Sequence, residues 1–236
     1  IVAAMNASAL DIEAAGWDRD SGVGIVMVPA SLSSFTIGGN VSGLGAGKSV
    51  VLLNNGGDAL TRNANGSFTF ATPLANGAAY AVTVGTQPVG QTCTVSNGTG
   101  TVASANVTNV TVNCTSNTYT IGGSVSGLGA GNSVVLLNNG GDALTRNANG
   151  SFTFATPIAS GATYSVTVGT QPVGQTCSVS NGAGTVVASN VTNVTVNCTT
   201  NTYTIGGSVS GLGAGNSVVL LNNGGDALTR NANGSF

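Results

Sequence analysis

Residues 35–68, FTIGGNVSGLGAGKSVVLLNNGGDALTRNANGSF, decide how the chain reads, because nearly the same string returns at Tyr119 and again at Tyr203. Thr36, Thr120 and Thr204 hold the same place in each copy, and the differences 120 − 36 and 204 − 120 both give 84 residues. That length suits one small β-sandwich, whereas solenoid repeats run at roughly twenty to fifty residues. Inside the string, β-branched or alternating runs are divided by turn signals. Phe35–Val41 reads as a first strand, its Gly38-Gly39 pair marking a bulge or a close approach of backbones. Gly43–Ser49, GLGAGKS, turns the chain, and Ser49–Asn54 is the most apolar strand, expected to be central. Asn65-Gly66 predicts a two-residue hairpin of type I′, after which Phe68 and Phe70 fall on one face. Beyond the string, Tyr80, Val82 and Val84 alternate cleanly. The expectation is an all-β chain of tandem antiparallel β-sandwiches, six to eight strands per copy.

The period divides the chain into 35–118, 119–202 and an incomplete 203–236, behind a leader, 1–34, of different composition. Thr115–Thr118 is a short linker, so the copies should be strung with little freedom. Charged residues make up 5% of the sequence, against roughly a quarter in ordinary domains, so the polar surface has to be built from hydroxyls and amides. A net charge of −2, with one lysine among five basic residues, leaves no patch for phosphate and argues against nucleic acid as partner. The longest apolar runs are too short to span a bilayer, so no membrane insertion is expected.

Cys93, Cys114, Cys177 and Cys198 sit at matching places in the two full copies. Two per copy predicts one disulfide in each, joining the QTCTVS strand to the VTNVTVNCT strand. Zinc is the competing reading, but it calls for closely spaced CxxC pairs or histidine, and the chain has no histidine. Disulfides imply an oxidising, extracellular or cell-surface location.

In the leader, Ile1, Met5 and Ala9 stand at helical spacing, followed by a turn-rich loop and a short apolar run, GIVMV. The stretch SALDIEAAGWDRDSGVGIVMVPASL resembles the C-terminal end of a subtilisin-like serine peptidase domain, through Ala9–Asp11, Gly16–Asp18 and Ser21–Gly24. The resemblance implies a partly helical domain remnant here and a peptidase domain upstream. It carries no catalytic residue into this chain, since that mechanism needs histidine as proton shuttle. Asp18 and Asp20 admit a calcium reading, against the plainer one of solvated or capping side chains in a Gly-rich turn. The repeats themselves resemble the prealbumin-like or carboxypeptidase-regulatory-like, Ig-like β-sandwiches of bacterial surface proteins. The residues that carry this are Gly39, Val41, Gly43, Leu44, Val50–Leu53, Gly66–Phe70, Gly77, Tyr80, Val82 and Val84.

Other motifs are weighed on their chemistry. A phosphate-binding loop, GxxxxGK[ST], would need glycine at Ser42, and the later copies carry Asn132 and Asn216 in place of Lys48, so GLGAGKS reads as a turn. The same change rules out a general Lys-Asn crosslink. Asp58 and Arg62 recur as Asp142 and Arg146, then Asp226 and Arg230. They read as surface ion pairs across a turn, or as part of a repeated carbohydrate or calcium site with Asn54, Asn55 and Asn63. No cofactor, metal or catalytic residue is assigned. The functional expectation is a non-catalytic extracellular array acting as stalk, adhesive or structural element, with polysaccharide, a cell surface or copies of itself as partners. Alternatives are accessory substrate-targeting domains of a secreted peptidase, and filaments in which unpaired edges of 203–236 accept a strand such as GIVMV.

Overall fold

A computed structural model describes residues 33–236. The expected helical start, the loop bearing Asp18 and Asp20, and the GIVMV segment lie outside the described residues. The first full copy holds ten strands: β1 Ser34–Phe35, β2 Ile37–Ser42, β3 Val50–Asn54, β4 Asp58–Arg62, β5 Gly66–Thr69, β6 Leu74–Ala75, β7 Ala79–Thr86, β8 Gln91–Ser96, β9 Thr99–Thr101 and β10 Val107–Ser116. Eight of them form two four-stranded sheets, ordered β5-β2-β10-β8 and β4-β3-β7-β9, while β1 pairs with β6. Alternation along each strand sends one face inward. Ile37, Val41, Val50, Leu52, Phe68, Phe70, Tyr80, Val82, Val110 and Val112 meet there with Cys93 and Cys114. Phe68 and Phe70 pack edge to face at 5.8 Å, a geometry the ring quadrupoles favour. As expected, β3 is central, flanked by β4 and β7.

The second copy repeats this arrangement with β11 Thr118–Tyr119, β12 Ile121–Ser126, β13 Val134–Asn138, β14 Asp142–Arg146, β15 Gly150–Thr153, β16 Ile158–Ala159, β17 Thr163–Thr170, β18 Gln175–Ser180, β19 Ala183–Thr185 and β20 Val191–Thr200. Its sheets are β15-β12-β20-β18 and β14-β13-β17-β19.

Pairing is antiparallel except in one place per copy. The first long strand and the last run parallel: β2 beside β10, and β12 beside β20. The expected all-β antiparallel sandwich is present, with this one parallel pair in each full copy added to it. A parallel pair needs a long crossover, and the segment from β3 to β9 provides it. The chain therefore enters a sandwich at one end of this strand pair and leaves at the other. The register slips between Val107 and Val110 opposite Ile37 and Gly39, a bulge whose extra residue lies in β10, across from the Gly38-Gly39 pair. Close approach is present as well: a Cβ on Gly39 would lie 1.7 Å from the Val110 carbonyl oxygen.

The linker is shorter than Thr115–Thr118. Thr115 and Ser116 end β10 and Thr118 begins β11, so Asn117 is the single residue between strands. Its N–H donates to the Gly90 carbonyl (3.0 Å), its carbonyl accepts from Ser160 N–H (2.8 Å), and its Oδ1 accepts from Thr92 Oγ1 (2.8 Å). Gly90, at φ +70°, faces Ser160 and Val187 of the next copy, where a Cβ would lie 2.0 Å from Ser160 Oγ.

In residues 203–236 two antiparallel pairs form, β21 Ser208–Val209 with β24 Gly234–Ser235, and the hairpin of β22 Val218–Asn222 with β23 Asp226–Arg230. Strand β22 has one partner where β3 and β13 have two. Ile205 is 76% exposed, although its counterparts Ile37 and Ile121 are 0% exposed. Few buried apolar contacts mean low local stability. Limited proteolysis of this 236-residue chain should remove Tyr203–Phe236 before either full copy is cut, and loss of the first or second copy ahead of it would contradict the reading.

Candidate functional site

With so few charges, amide side chains do the work of positioning loops. Gln91 is buried at the start of β8; its Oε1 accepts from Gly45 N–H (2.9 Å) and its Nε2 donates to the Gly43 carbonyl (2.9 Å). Asn65 does the same for Leu44, accepting from its N–H (2.8 Å) and donating to its carbonyl (2.9 Å). Together they pin GLGAGKS, which links β2 to β3 with no helix following it, and Lys48 Nζ donates to the Val89 carbonyl. This is a clamped turn without the strand-to-helix setting that a phosphate loop requires. Gln91→Ala would leave the Gly45 N–H and the Gly43 carbonyl, whose hydrogen bonds to it are part-buried, without their side-chain partner. We expect it to cost roughly 2 kcal/mol, measured by denaturant unfolding, while Lys48→Asn, the residue of the second copy, should cost little.

Asn65-Gly66 is therefore not the predicted hairpin. Strands β4 and β5 on either side of it belong to different sheets, and the Asn65 side chain is committed to Leu44. The type I′ turn falls ten residues earlier, at Asn55-Gly56, with φ 51° and 73°, and recurs at Asn139-Gly140, with φ 50° and 74°. Gly57 N–H and Gly141 N–H close these turns on the carbonyls of Asn54 and Asn138, each at 3.2 Å.

This asparagine hairpin is the best-formed polar feature of each copy. Asn54 and Asn138 are buried; Asn54 Oδ1 accepts from Ala81 N–H (3.3 Å) and Asn138 Oδ1 from Ser165 N–H (3.2 Å). Asn55 Nδ2 donates to the Ala79 carbonyl (3.1 Å), and Asn139 Nδ2 to that of Thr163 (3.2 Å). Across the turn, Asp58 Oδ2 accepts from Thr72 N–H (3.0 Å) and Asp142 Oδ2 from Thr156 N–H (3.1 Å). In the second copy Asn138, Asn139, Gly141, Asp142, Thr156 and Ile158 surround an open depression of about 380 Å³.

The expected ion pairs are not made. Asp58 and Arg62 stand at opposite ends of β4, four residues apart along an extended strand, roughly 13 Å at the rise of a β-strand. The same holds for Asp142 and Arg146 in β14 and for Asp226 and Arg230 in β23. Each arginine Nε is enclosed with no hydrogen-bond partner, while the first two aspartates cap backbone N–H groups instead. Of the residues considered for a repeated site, Asn54, Asn55 and Asp58 come together and Arg62 is at the far end of the strand. Thr72 and Leu74, with their counterparts Thr156 and Ile158, were missed, because only the fold returns that segment to the hairpin.

Both disulfides are formed, Cys93–Cys114 and Cys177–Cys198. Each joins residues directly opposite one another on neighbouring antiparallel strands, which leaves no cysteine for metal.

Similar solved structures exist. One is the Bacillus anthracis TIE protein, at 12% identity and a TM-score of 0.48, covering 86% of this chain and 43% of that one. A second is the shaft pilin SpaA of Lactobacillus rhamnosus GG, at 13% identity and TM-score 0.28, covering 72% and 100%. A third comprises two B repeat units of the collagen-binding protein of Staphylococcus aureus, at 18% identity and TM-score 0.25, covering 75% and 52%. The chain thus spans less than half the length of the Bacillus anthracis protein it matches. No protein-family model and no curated protein matches it.

Proposed function

We propose that the chain is a non-catalytic extracellular array that acts as a stalk and adhesive element, each 84-residue copy being one folding unit with the boundaries 35–118 and 119–202. The parallel pairing of the first and last long strands carries this reading. Entry and exit at opposite ends of the pair favour an end-to-end string of sandwiches, and the single hydrogen-bonded joint at Asn117 limits bending. A disulfide in each unit suits an oxidising exterior, and repetition turns any weak surface site into an avid one. Solution scattering tests the reading. Residues 35–202 should give a maximum dimension close to twice that of residues 35–118, and a two-unit particle as compact as a globule would overturn it. On the adhesive side, the two-unit fragment should hold to immobilised neutral polysaccharide more strongly than one unit.

The leader motif SALDIEAAGWDRDSGVGIVMV favours a related second reading, in which the array serves a subtilisin-like peptidase domain upstream and brings it to its substrate. Sequencing upstream of Ile1 tests it, since a region without an Asp, His and Ser triad would sink it.

A further inference from the structure

We propose that the depression at the asparagine hairpin of the second copy, and the matching hairpin of the first, bind neutral saccharides through vicinal hydroxyl groups. The contacts would be Asn138, Asn139 and Asp142 in the second copy, and Asn54, Asn55 and Asp58 in the first. The proposal rests on the adhesive part of the reading above and supplies its site and ligand class.

The hydrogen-bonding valences that remain at the hairpin select the ligand. Asn138 is only 3% exposed and its Oδ1 is committed to Ser165 N–H, while its Nδ2, which no protein group accepts from, is not among the enclosed atoms and stays open to a ligand. Asn139 spends Nδ2 on Thr163, and Asp142 spends Oδ2 on Thr156. One oxygen of each is left. The rim therefore offers one donor and two acceptors, held in place because the other half of each side chain is anchored to the backbone. Adjacent hydroxyls match this set, one accepting from the amide while both donate to the oxygens. A bond donated to the carboxylate is the strong one.

Other ligand classes fit worse. Asp142 repels anions. Calcium takes six to eight oxygens, and two of the oxygens gathered here already accept backbone N–H groups. A volume of about 380 Å³ lies near the lower end of small-molecule sites, room for one or two sugar rings, and the Ile158 side chain gives the C–H face of a ring an apolar wall. The first copy makes the same three side-chain-to-backbone bonds, so the chain carries the site twice.

The test uses the 236-residue chain and titrates mannan, dextran and galactan by calorimetry, with and without EDTA. Asp58→Asn/Asp142→Asn keeps an oxygen for the Thr72 and Thr156 N–H groups but turns the free acceptor into a donor. Asn55→Gly/Asn139→Gly removes the other acceptor at positions whose positive φ glycine adopts readily. Thermal unfolding of both variants checks that they are folded. At least tenfold weaker binding in each, with EDTA without effect, is the expected result. Binding retained in both would overturn the site and leave the array reading standing. Loss of binding in EDTA would overturn the neutral-hydroxyl class in favour of a cation. No binding of the wild-type chain to any of the three would overturn this inference and the adhesive reading together, leaving the stalk to the scattering result.

Discussion

Gly39→Ala is expected to unfold the first sandwich, and Gly123→Ala the second. Strand β2 lies between β5 and β10, and Gly39 sits opposite Phe68 on one side and Val110 on the other. An added Cβ would lie 1.7 Å from the Val110 carbonyl oxygen and 2.6 Å from its carbon, and the same values for Gly123 against Val194 are 1.7 Å and 2.5 Å. The obstacle is backbone in the middle of a sheet, so no side chain can swing aside. Relief requires β2 and β10 to part where the bulge already weakens their register. The loss should be of the order of 4 kcal/mol or more, in the exceptional class of substitutions. A unit of this size has only roughly 4–13 kcal/mol of stability. Gly47→Ala is the control: nothing stands within 4 Å of its Cβ, but φ is +71°, so it should cost only about 1–2 kcal/mol. Denaturant unfolding measures all three, and a Gly39→Ala chain as stable as Gly47→Ala would refute the account.

These glycines show how far the sequence could be read. Gly38-Gly39 inside an apolar strand pattern announced a bulge or a close approach, and the close approach is what these glycines provide, the extra residue of the bulge lying in the partner strand β10. The core was legible too, since Val50, Leu52, Phe68, Tyr80 and Val82 follow a period of two that only one sandwich face can absorb. Pairing was less legible. Asn65-Gly66 has the composition of a tight turn, yet its asparagine is spent on Leu44 and the chain crosses between sheets there, while Asn55-Gly56 makes the turn. Asp58 and Arg62 looked like partners because they are near in sequence and alone in charge. An extended strand holds such residues apart, and the aspartate's true partner, Thr72 N–H, lies beyond two further strand boundaries. The hairpin depression was half visible for the same reason. Asn54, Asn55 and Asp58 are local, whereas Thr72 and Leu74 arrive only through tertiary structure. The parallel strand pair was invisible, since alternation reports which face a strand buries and says nothing of its direction relative to a partner.

Reduction of the disulfides should produce the second large effect. Each bond closes a loop with a sequence separation of 21 residues, and on the chain-entropy account its loss frees the unfolded chain by about 3 kcal/mol. For units of this size that corresponds to a fall in Tm of roughly 12–24 °C. The strands it joins, β8 and β10, lie at the edge and next to the edge of their sheet. Between Cys93 and Cys114 the chain leaves for the opposite sheet to form β9, so the bond closes a loop that spans the sandwich. Its effect should be confined to its own copy. Cys93→Ala/Cys114→Ala, with Cys177–Cys198 intact, should split thermal unfolding into two steps, the lower from residues 35–118 and the upper near the wild-type value. Added reductant should then bring the upper step down towards the lower. A single transition that shifts as a whole would mean that the copies unfold as one body through the Asn117 joint, and would refute their independence.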